Sequence, residues 1–66
     1  MEIKYPNVKV KLVGADGNAF GILSRVLSAM RKAKVPKEEQ DAFTKEATSG
    51  NYDHLLQTVF LWVIVR

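Results

Sequence analysis

The chain contains no cysteine, one histidine and one tryptophan, and these scarcities narrow the kinds of protein it can be. Without cysteine there is no disulfide framework and no thiolate metal site, which are the usual supports of small secreted domains. The N-terminal sequence MEIKYPNVKV has neither the apolar region nor the small-residue cleavage site of a signal peptide. We therefore expect a cytoplasmic protein.

The chain is also short, and it has no long apolar run. Its 66 residues predict one domain over residues 1–66, and a chain of this size buries only about 60% of the surface it exposes when unfolded. A partner chain is one natural supplement to the stability of so small a domain. The apolar run at residues 59–65 is far shorter than the roughly 20 residues that cross a bilayer, so we expect no membrane span.

A strand is predicted near the N-terminus. Val8, Val10 and Leu12 alternate with Lys9 and Lys11, and this period of two predicts a half-buried strand over about residues 3–13 with its lysine face in solvent. Proline lacks the N–H that a sheet ladder needs, so the proline at position 6 predicts a sheet edge or a late start to regular pairing. The sequence GADGN at residues 14–18 then predicts a turn, with its asparagine capping the next helix.

Three amphipathic helices are predicted after the turn. The first covers residues 19 to about 33, and its apolar stripe is Phe20, Leu23, Val26, Leu27 and Met30. The second begins near Pro36 and should be short and peripheral, because its apolar stripe is narrow. The third begins near residue 52 with Asn51 as a cap, and its core stripe is Tyr52, Leu55, Leu56, Val59, Phe60 and Val63.

The predicted fold is therefore α+β, with one strand followed by three helices. A lone strand leaves both of its edges unpaired, so residues 62–65 have two interpretations. They either continue the third helix or form a short strand that pairs with the first. In either case we expect a core that contains Val10, Leu12, Phe20, Leu23, Leu27, Leu55, Leu56 and Val59.

No residue set in the sequence predicts catalysis. GADGNAF lacks the lysine and hydroxyl residue of a P-loop and the glycine spacing of a dinucleotide fold. His54 follows Asp53, but no serine or cysteine is placed for it to activate. The acidic residues at 38, 39, 41 and 46 fit the positive end of a helix dipole better than a metal site. We expect no enzyme activity, no metal and no cofactor.

Basic residues offer an alternative function. The net charge of +3 is modest, yet a strand and a helix could together present cations to a phosphate backbone. No aromatic residue is interleaved with them for base stacking, so we expect a protein rather than a nucleic acid as the partner. The alternative nucleic-acid face consists of Lys9, Lys11, Arg25, Arg31 and Lys32.

Two segments resemble a group of small uncharacterised proteins of bacteria and phages. The segments are VKLVGADGNAFGILSRV and FTKEATSGNYDHLLQTV. The group's pattern runs V-x-L-x-G-x-D-G-N-A-F, then A-x-S-G-D-Y-D-x-L-L, with M-R-W-V-E-V near the end. The likeness covers nearly the whole chain, with DGNAF and YDHLL as its most specific parts. It implies a fold and a bacterial or phage origin, and it implies no activity, cofactor or catalytic residue.

The chain departs from this pattern at its C-terminal end. Phe60 stands where the group has Met, and Leu61 and Ile64 stand where it has Arg and Glu. Exposed apolar patches invite association, so natural drift seldom places two such residues on a solvent-facing surface. Redesign of that surface for contact with another protein would produce this pattern.

The sequence therefore predicts a protein-interaction module, either a binder of another protein or a homodimer, engineered on a natural scaffold. Aromatic and aliphatic anchors surrounded by polar residues are typical of interface hot spots. The predicted contact surface lies on the C-terminal helix and consists of His54, Gln57, Phe60, Leu61, Trp62 and Ile64.

Overall fold

The computed structural model describes residues 3–12 and 19–66. Its elements follow the order β1 (Tyr5–Val10), α1 (Ala19–Lys32), α2 (Lys37–Ala47), α3 (Tyr52–Trp62) and β2 (Val63–Val65). This order confirms the predicted α+β fold. The predicted turn at residues 14–18 and its asparagine cap lie outside the described residues.

The two strands form a parallel sheet, which decides between the two interpretations of the apolar run near the C-terminus. Tyr5 pairs with Val63, Lys9 with Ile64 and Val10 with Val65. β1 therefore advances four residues while β2 advances one, so the pairing is irregular between Tyr5 and Lys9, a stretch that includes Pro6, which has no N–H to donate. The run is helical up to Trp62 and extended from Val63 onwards.

The hydrophobic core lies where the inner face of the sheet meets all three helices. Val10 and Leu23 are buried as predicted, and so are Leu55 and Val59. The largest fully buried side chains are those of Val8, Val26, Met30, Phe43, Val59 and Val63. The predicted core residues Leu12, Leu27 and Leu56 are only partly buried and pack against its edge.

The predicted core position of Phe20 is wrong, because its side chain is 77% exposed. The buried face of α1 consists of Ile22, Leu23, Val26 and Met30. On a helical wheel drawn at 100° per residue, the centre of the buried face is shifted from the centre of the predicted stripe toward Ile22. Phe20 therefore lies at the side of the buried face and not within it. The helix is amphipathic as predicted, but its inner face is rotated.

The prediction of a peripheral α2 is also wrong. Phe43 is fully buried and Ala47 is 1% exposed, so this helix contributes one of the largest side chains of the core. A narrow apolar stripe is enough to anchor α2 in the core, because a single phenylalanine buries a large apolar area.

Lys34, two residues after the end of α1, has an unfavourable backbone conformation, with φ at 63°. The N–H of Val35 donates to Met30 O at 2.9 Å and that of Lys34 donates to Arg31 O at 3.0 Å. These two bonds form the Schellman motif, in which glycine normally occupies the left-handed position. Val35 and Met30 occupy the two positions whose side chains usually meet in this motif, and both are buried in the core.

We expect Lys34→Gly to raise the free energy of unfolding by about 1 kcal/mol, because glycine adopts this conformation without the steric cost of a Cβ. Urea denaturation followed by circular dichroism measures the change. As a control, Lys32→Gly within α1 should lower the stability by about 1 kcal/mol. If both substitutions lowered the stability equally, the backbone at Lys34 would not be strained at the C-terminal end of α1.

Candidate functional site

Two large apolar side chains are exposed at consecutive positions near the end of α3. Phe60 is 55% and Leu61 is 44% exposed. The helix buries Leu55, Thr58 and Val59, and at 100° per residue positions 60 and 61 fall outside that face. Exposed Gln57 lies one turn before both of them. We call Gln57, Phe60 and Leu61 the α3 patch.

His54, predicted for the same surface, instead holds the connection between α2 and α3. Its Nε2 lies 2.9 Å from Glu46 O and 3.1 Å from Ser49 Oγ. Gly50 permits this close approach, because a Cβ there would lie 2.8 Å from His54 Cβ and Cγ. The backbone N–H of His54 donates to Asn51 Oδ1 at 2.9 Å, which confirms Asn51 as the cap of α3. The bonds of His54 are thus internal ones.

Trp62 points toward the core, at the junction of the sheet and α2. Its ring centroid lies 5.4 Å from that of Phe43 in an edge-to-face arrangement and 6.0 Å from that of Tyr5. Lys4 Nζ lies 4.2 Å from its ring centroid, within the range of a cation–π interaction. Because these neighbours cover much of the ring, Trp62 contributes to packing and is separate from the α3 patch.

A small polar network borders Trp62 and ties β1 to α2. Tyr5 Oη donates to Glu39 Oε1 at 2.9 Å, and Lys4 Nζ lies 3.0 Å from the same oxygen. The bonds from Lys4 and then from Tyr5 lower the pKa of Glu39. Desolvation, followed by the bond to Glu39, raises the pKa of Tyr5. Because the Glu39 pKa is depressed, its contribution to stability is present at neutral pH and is lost as the pH falls through the folded-state pKa.

Ile64 lies on β2 and not on α3. It pairs with Lys9 and is partly buried, and Lys9 belongs to the outward-facing residues of β1, opposite buried Val8 and Val10. Ile64 therefore lies on the outer face of the sheet. A helix-based surface that contains both Leu61 and Ile64 does not form, because the helix ends between them.

An apolar groove separates the N-terminal ends of α1 and α3, and no pattern in the sequence predicts it. Its volume is about 210 Å³, and Phe20, Leu23, Tyr52 and Leu55 line it. The periodicity of α1 places Phe20 in the core and therefore misses its position at a groove. The groove depends on how the α2–α3 connection packs near α1, which no local sequence pattern reveals.

The structure brings four of the five predicted basic residues together. Lys9, which lies in β1, and Lys11, which follows the strand, line one cleft with Arg25 and Lys32 of α1. Arg31 points elsewhere, toward a depression that it shares with Asp41 of α2. Four of the five residues of the alternative nucleic-acid face thus line one cleft, and their binding of nucleic acid stays a prediction.

Neither a metal site nor a membrane-spanning helix is found in the part of the chain that the structure describes. Within residues 3–12 and 19–66, no three histidine, aspartate or glutamate side chains are grouped so that they could hold a metal ion. No helix in those ranges has the length and apolar character needed to cross a membrane. The expectation that the chain is not an enzyme stays a prediction.

Comparisons with protein-family models, with curated proteins and with solved structures found no match to this chain.

Proposed function

We propose that this chain is a protein-interaction module and that the α3 patch is its contact surface. The observation that carries the proposal is the exposure of Phe60 and Leu61 at consecutive positions of a helix whose opposite face is fully buried. Exposed apolar groups scattered singly are ordinary, whereas adjacent ones beside polar residues are typical of binding sites. The substitutions that distinguish residues 60 and 61 from the group that the chain resembles support a surface redesigned for contact.

Burial of the α3 patch would contribute a substantial part of the free energy of binding. An aromatic side chain that buries its exposed half removes roughly 100 Å² from water, which contributes about 2.5 kcal/mol. Leu61 adds about 1 kcal/mol by the same reasoning. Together they change a dissociation constant by about two to three orders of magnitude.

The occupant that suits the patch is another apolar helix face, either from a different protein or from a second copy of this chain. A helix packs against a helix through side chains spaced three and four residues apart. Phe60 and Leu61 follow Gln57 by three and four residues, so the three positions share one side of α3. In a dimer with two-fold symmetry, the same patch would meet itself. A stable interface needs about 800 Å² per partner, so the patch would form the apolar centre of a larger contact.

The test is a double substitution, Phe60→Gln with Leu61→Arg. Both new residues are good helix formers, so α3 should persist while the apolar surface is lost. We expect association to weaken by at least about a hundredfold, because a buried contact is removed and a charge is placed in it. Sedimentation equilibrium over a wide concentration range measures self-association, and titration with amphipathic helical peptides measures binding to other helices.

The matched control is Lys9→Glu with Lys11→Glu, which changes exposed residues on a different surface. That variant should associate as the wild type does. A wild-type chain that stays monomeric and binds no helical peptide would contradict the proposal. So would a melting curve that collapses in the Phe60→Gln/Leu61→Arg variant, because the two side chains would then belong to the chain's own core.

A further inference from the structure

The charges of this chain are unevenly distributed along the sequence. Residues 1–36 carry seven cations and two carboxylates, and residues 37–66 carry three cations and five carboxylates. Among the described residues up to position 36, which include β1 and α1, there is no carboxylate. The cations of that part are Lys4, Lys9, Lys11, Arg25, Arg31, Lys32 and Lys34. The described acidic residues all belong to α2 and α3. The N-terminal part of the chain is therefore more positive than the net charge of the whole suggests, and such asymmetry is typical of a polyanion-binding surface.

The positive side contains a cleft between β1 and α1. Its volume is about 590 Å³, and its basic residues are the four already described, Lys9, Lys11, Arg25 and Lys32. Gly21, Ser24 and Ser28 of α1 also line it, and their small side chains leave room for a ligand to approach the helix closely. The hydroxyls of the two exposed serines can donate to phosphate oxygens. Among the residues that the structure describes, the lining includes no carboxylate and no aromatic side chain.

The cations of the cleft are available to a ligand. In the described part of the chain, Lys4 forms an ion pair with Glu39, and His54 Nε2 lies 3.6 Å from a carboxylate oxygen of Glu46; neither contact involves the cleft. Arg25 Nη1 donates to Lys11 O at 3.4 Å, which holds the guanidinium at the strand side of the cleft. The guanidinium has five N–H donors in all, so that bond leaves several for an anion.

We propose that this cleft binds the phosphate backbone of duplex DNA without reading its sequence. Lys9 and Lys11 are two residues apart in the chain, which spans at most about 7 Å, and Arg25 and Lys32 lie about 10 Å apart along a helix. Cations at these intervals can contact several phosphates at once. Single strands are held largely by aromatic stacking, which this cleft lacks, whereas a duplex offers one negative charge per about 1.7 Å.

This site is independent of the α3 patch. The DNA would contact β1 and α1, while the proposed protein contact involves α3. The Phe60→Gln/Leu61→Arg variant should therefore bind DNA within about threefold of the wild type, since no cleft cation is changed. Failure of one proposal leaves the other standing.

The test is fluorescence anisotropy with a labelled duplex of mixed sequence at low salt. Lys9→Glu with Lys11→Glu should weaken binding by at least about tenfold, because two phosphate contacts become repulsive. The matched control is Lys37→Glu with Lys45→Glu on α2. Both variants replace two lysines by two glutamates, so each changes the net charge by the same amount, from +3 to −1. The control should lose less than about threefold.

Salt dependence supplies a second readout. If all four cations contact phosphates, the slope of log K against log salt concentration should be roughly −3 to −4, and Lys9→Gln with Lys11→Gln should reduce it by about 2. Arg25→Gln with Lys32→Gln should give a similar reduction from α1. Circular dichroism confirms that each variant is folded.

Three results would overturn the proposal. Equal losses in the cleft variant and in the α2 control would show that only net charge matters. Displacement of the duplex by poly-glutamate at equal charge concentration would identify an acidic protein as the preferred partner. Binding of single strands more tightly than the duplex would show that bases, and not the duplex backbone, are recognised.

Discussion

Phe43→Ala is expected to lower the free energy of unfolding by about 3 to 5 kcal/mol, whereas Phe60→Ala should lower it by about 1 kcal/mol or less. Both residues are phenylalanines on helices, so the chemical change is the same. Phe43 is completely buried and packs edge to face on Trp62, while Phe60 is 55% exposed. The comparison therefore isolates the effect of burial.

The loss at Phe43 is large compared with the stability of the whole molecule. Native proteins are stable by only about 5 to 15 kcal/mol, and a chain of this size lies near the lower end of that range. Removal of the ring also leaves a cavity beside Trp62, because a packed core relaxes only partially. Chemical denaturation of the two variants at the same protein concentration measures both changes. Similar losses at the two positions would mean that α2 does not supply the centre of the core.

The helices are predictable because their signals are local. The proline at position 36 sets the boundary between α1 and α2, and Asn51 marks the start of α3 by its side-chain cap. Capping chemistry and prolines act over a few residues, so a single sequence contains what is needed. The lysine face of β1 is predictable for the same reason, since alternation along a strand is a local pattern.

The orientation of each helix in the core is less predictable. The buried face of α1 includes Ile22 and leaves Phe20 exposed, because the face that packs is chosen by β1, α2 and α3 together. A helical wheel considers one helix alone, so it assigns a phenylalanine to the core without regard to the elements that pack around that helix. The depth of Phe43 is underestimated in the same way, since a narrow stripe says nothing of how closely α3 and Trp62 enclose it.

The candidate sites depend even more on distant parts of the chain. Arg25 and Lys9 are far apart in sequence, and only the packing of α1 on β1 brings them to one cleft without Arg31. The exposed apolar residues of the α3 patch can be predicted from the sequence, but the limits of the patch cannot. Trp62 packs against the core and Ile64 lies in the sheet, because the apolar run near the C-terminus pairs with β1 from residue 63 onwards.

Val63→Glu should unfold the chain, whereas Ile64→Glu should change its stability by less than about 1 kcal/mol. The two residues are neighbours on β2, but successive side chains of a strand point to opposite faces. Val63 is 1% exposed and belongs to the core, where an unpaired carboxylate costs several kcal/mol. Ile64 is partly exposed beside Lys9, so a glutamate there loses some apolar contact and gains an opposite charge.

The pairing with Lys9 makes this prediction specific to the strand. If residues 63–65 continued α3 as a helix, position 64 would have no fixed relation to Lys9. In the parallel sheet the two positions are in register, so the carboxylate introduced by Ile64→Glu should show a favourable coupling to Lys9 of about 0.5 kcal/mol, typical of an exposed ion pair. A double-mutant cycle that combines Ile64→Glu with Lys9→Ala, measured by urea denaturation at low salt, gives that coupling. A coupling of zero, together with a folded Val63→Glu variant, would mean that residues 63–65 do not form the second strand of the sheet. Ile64 could then no longer be assigned to a surface separate from the α3 patch.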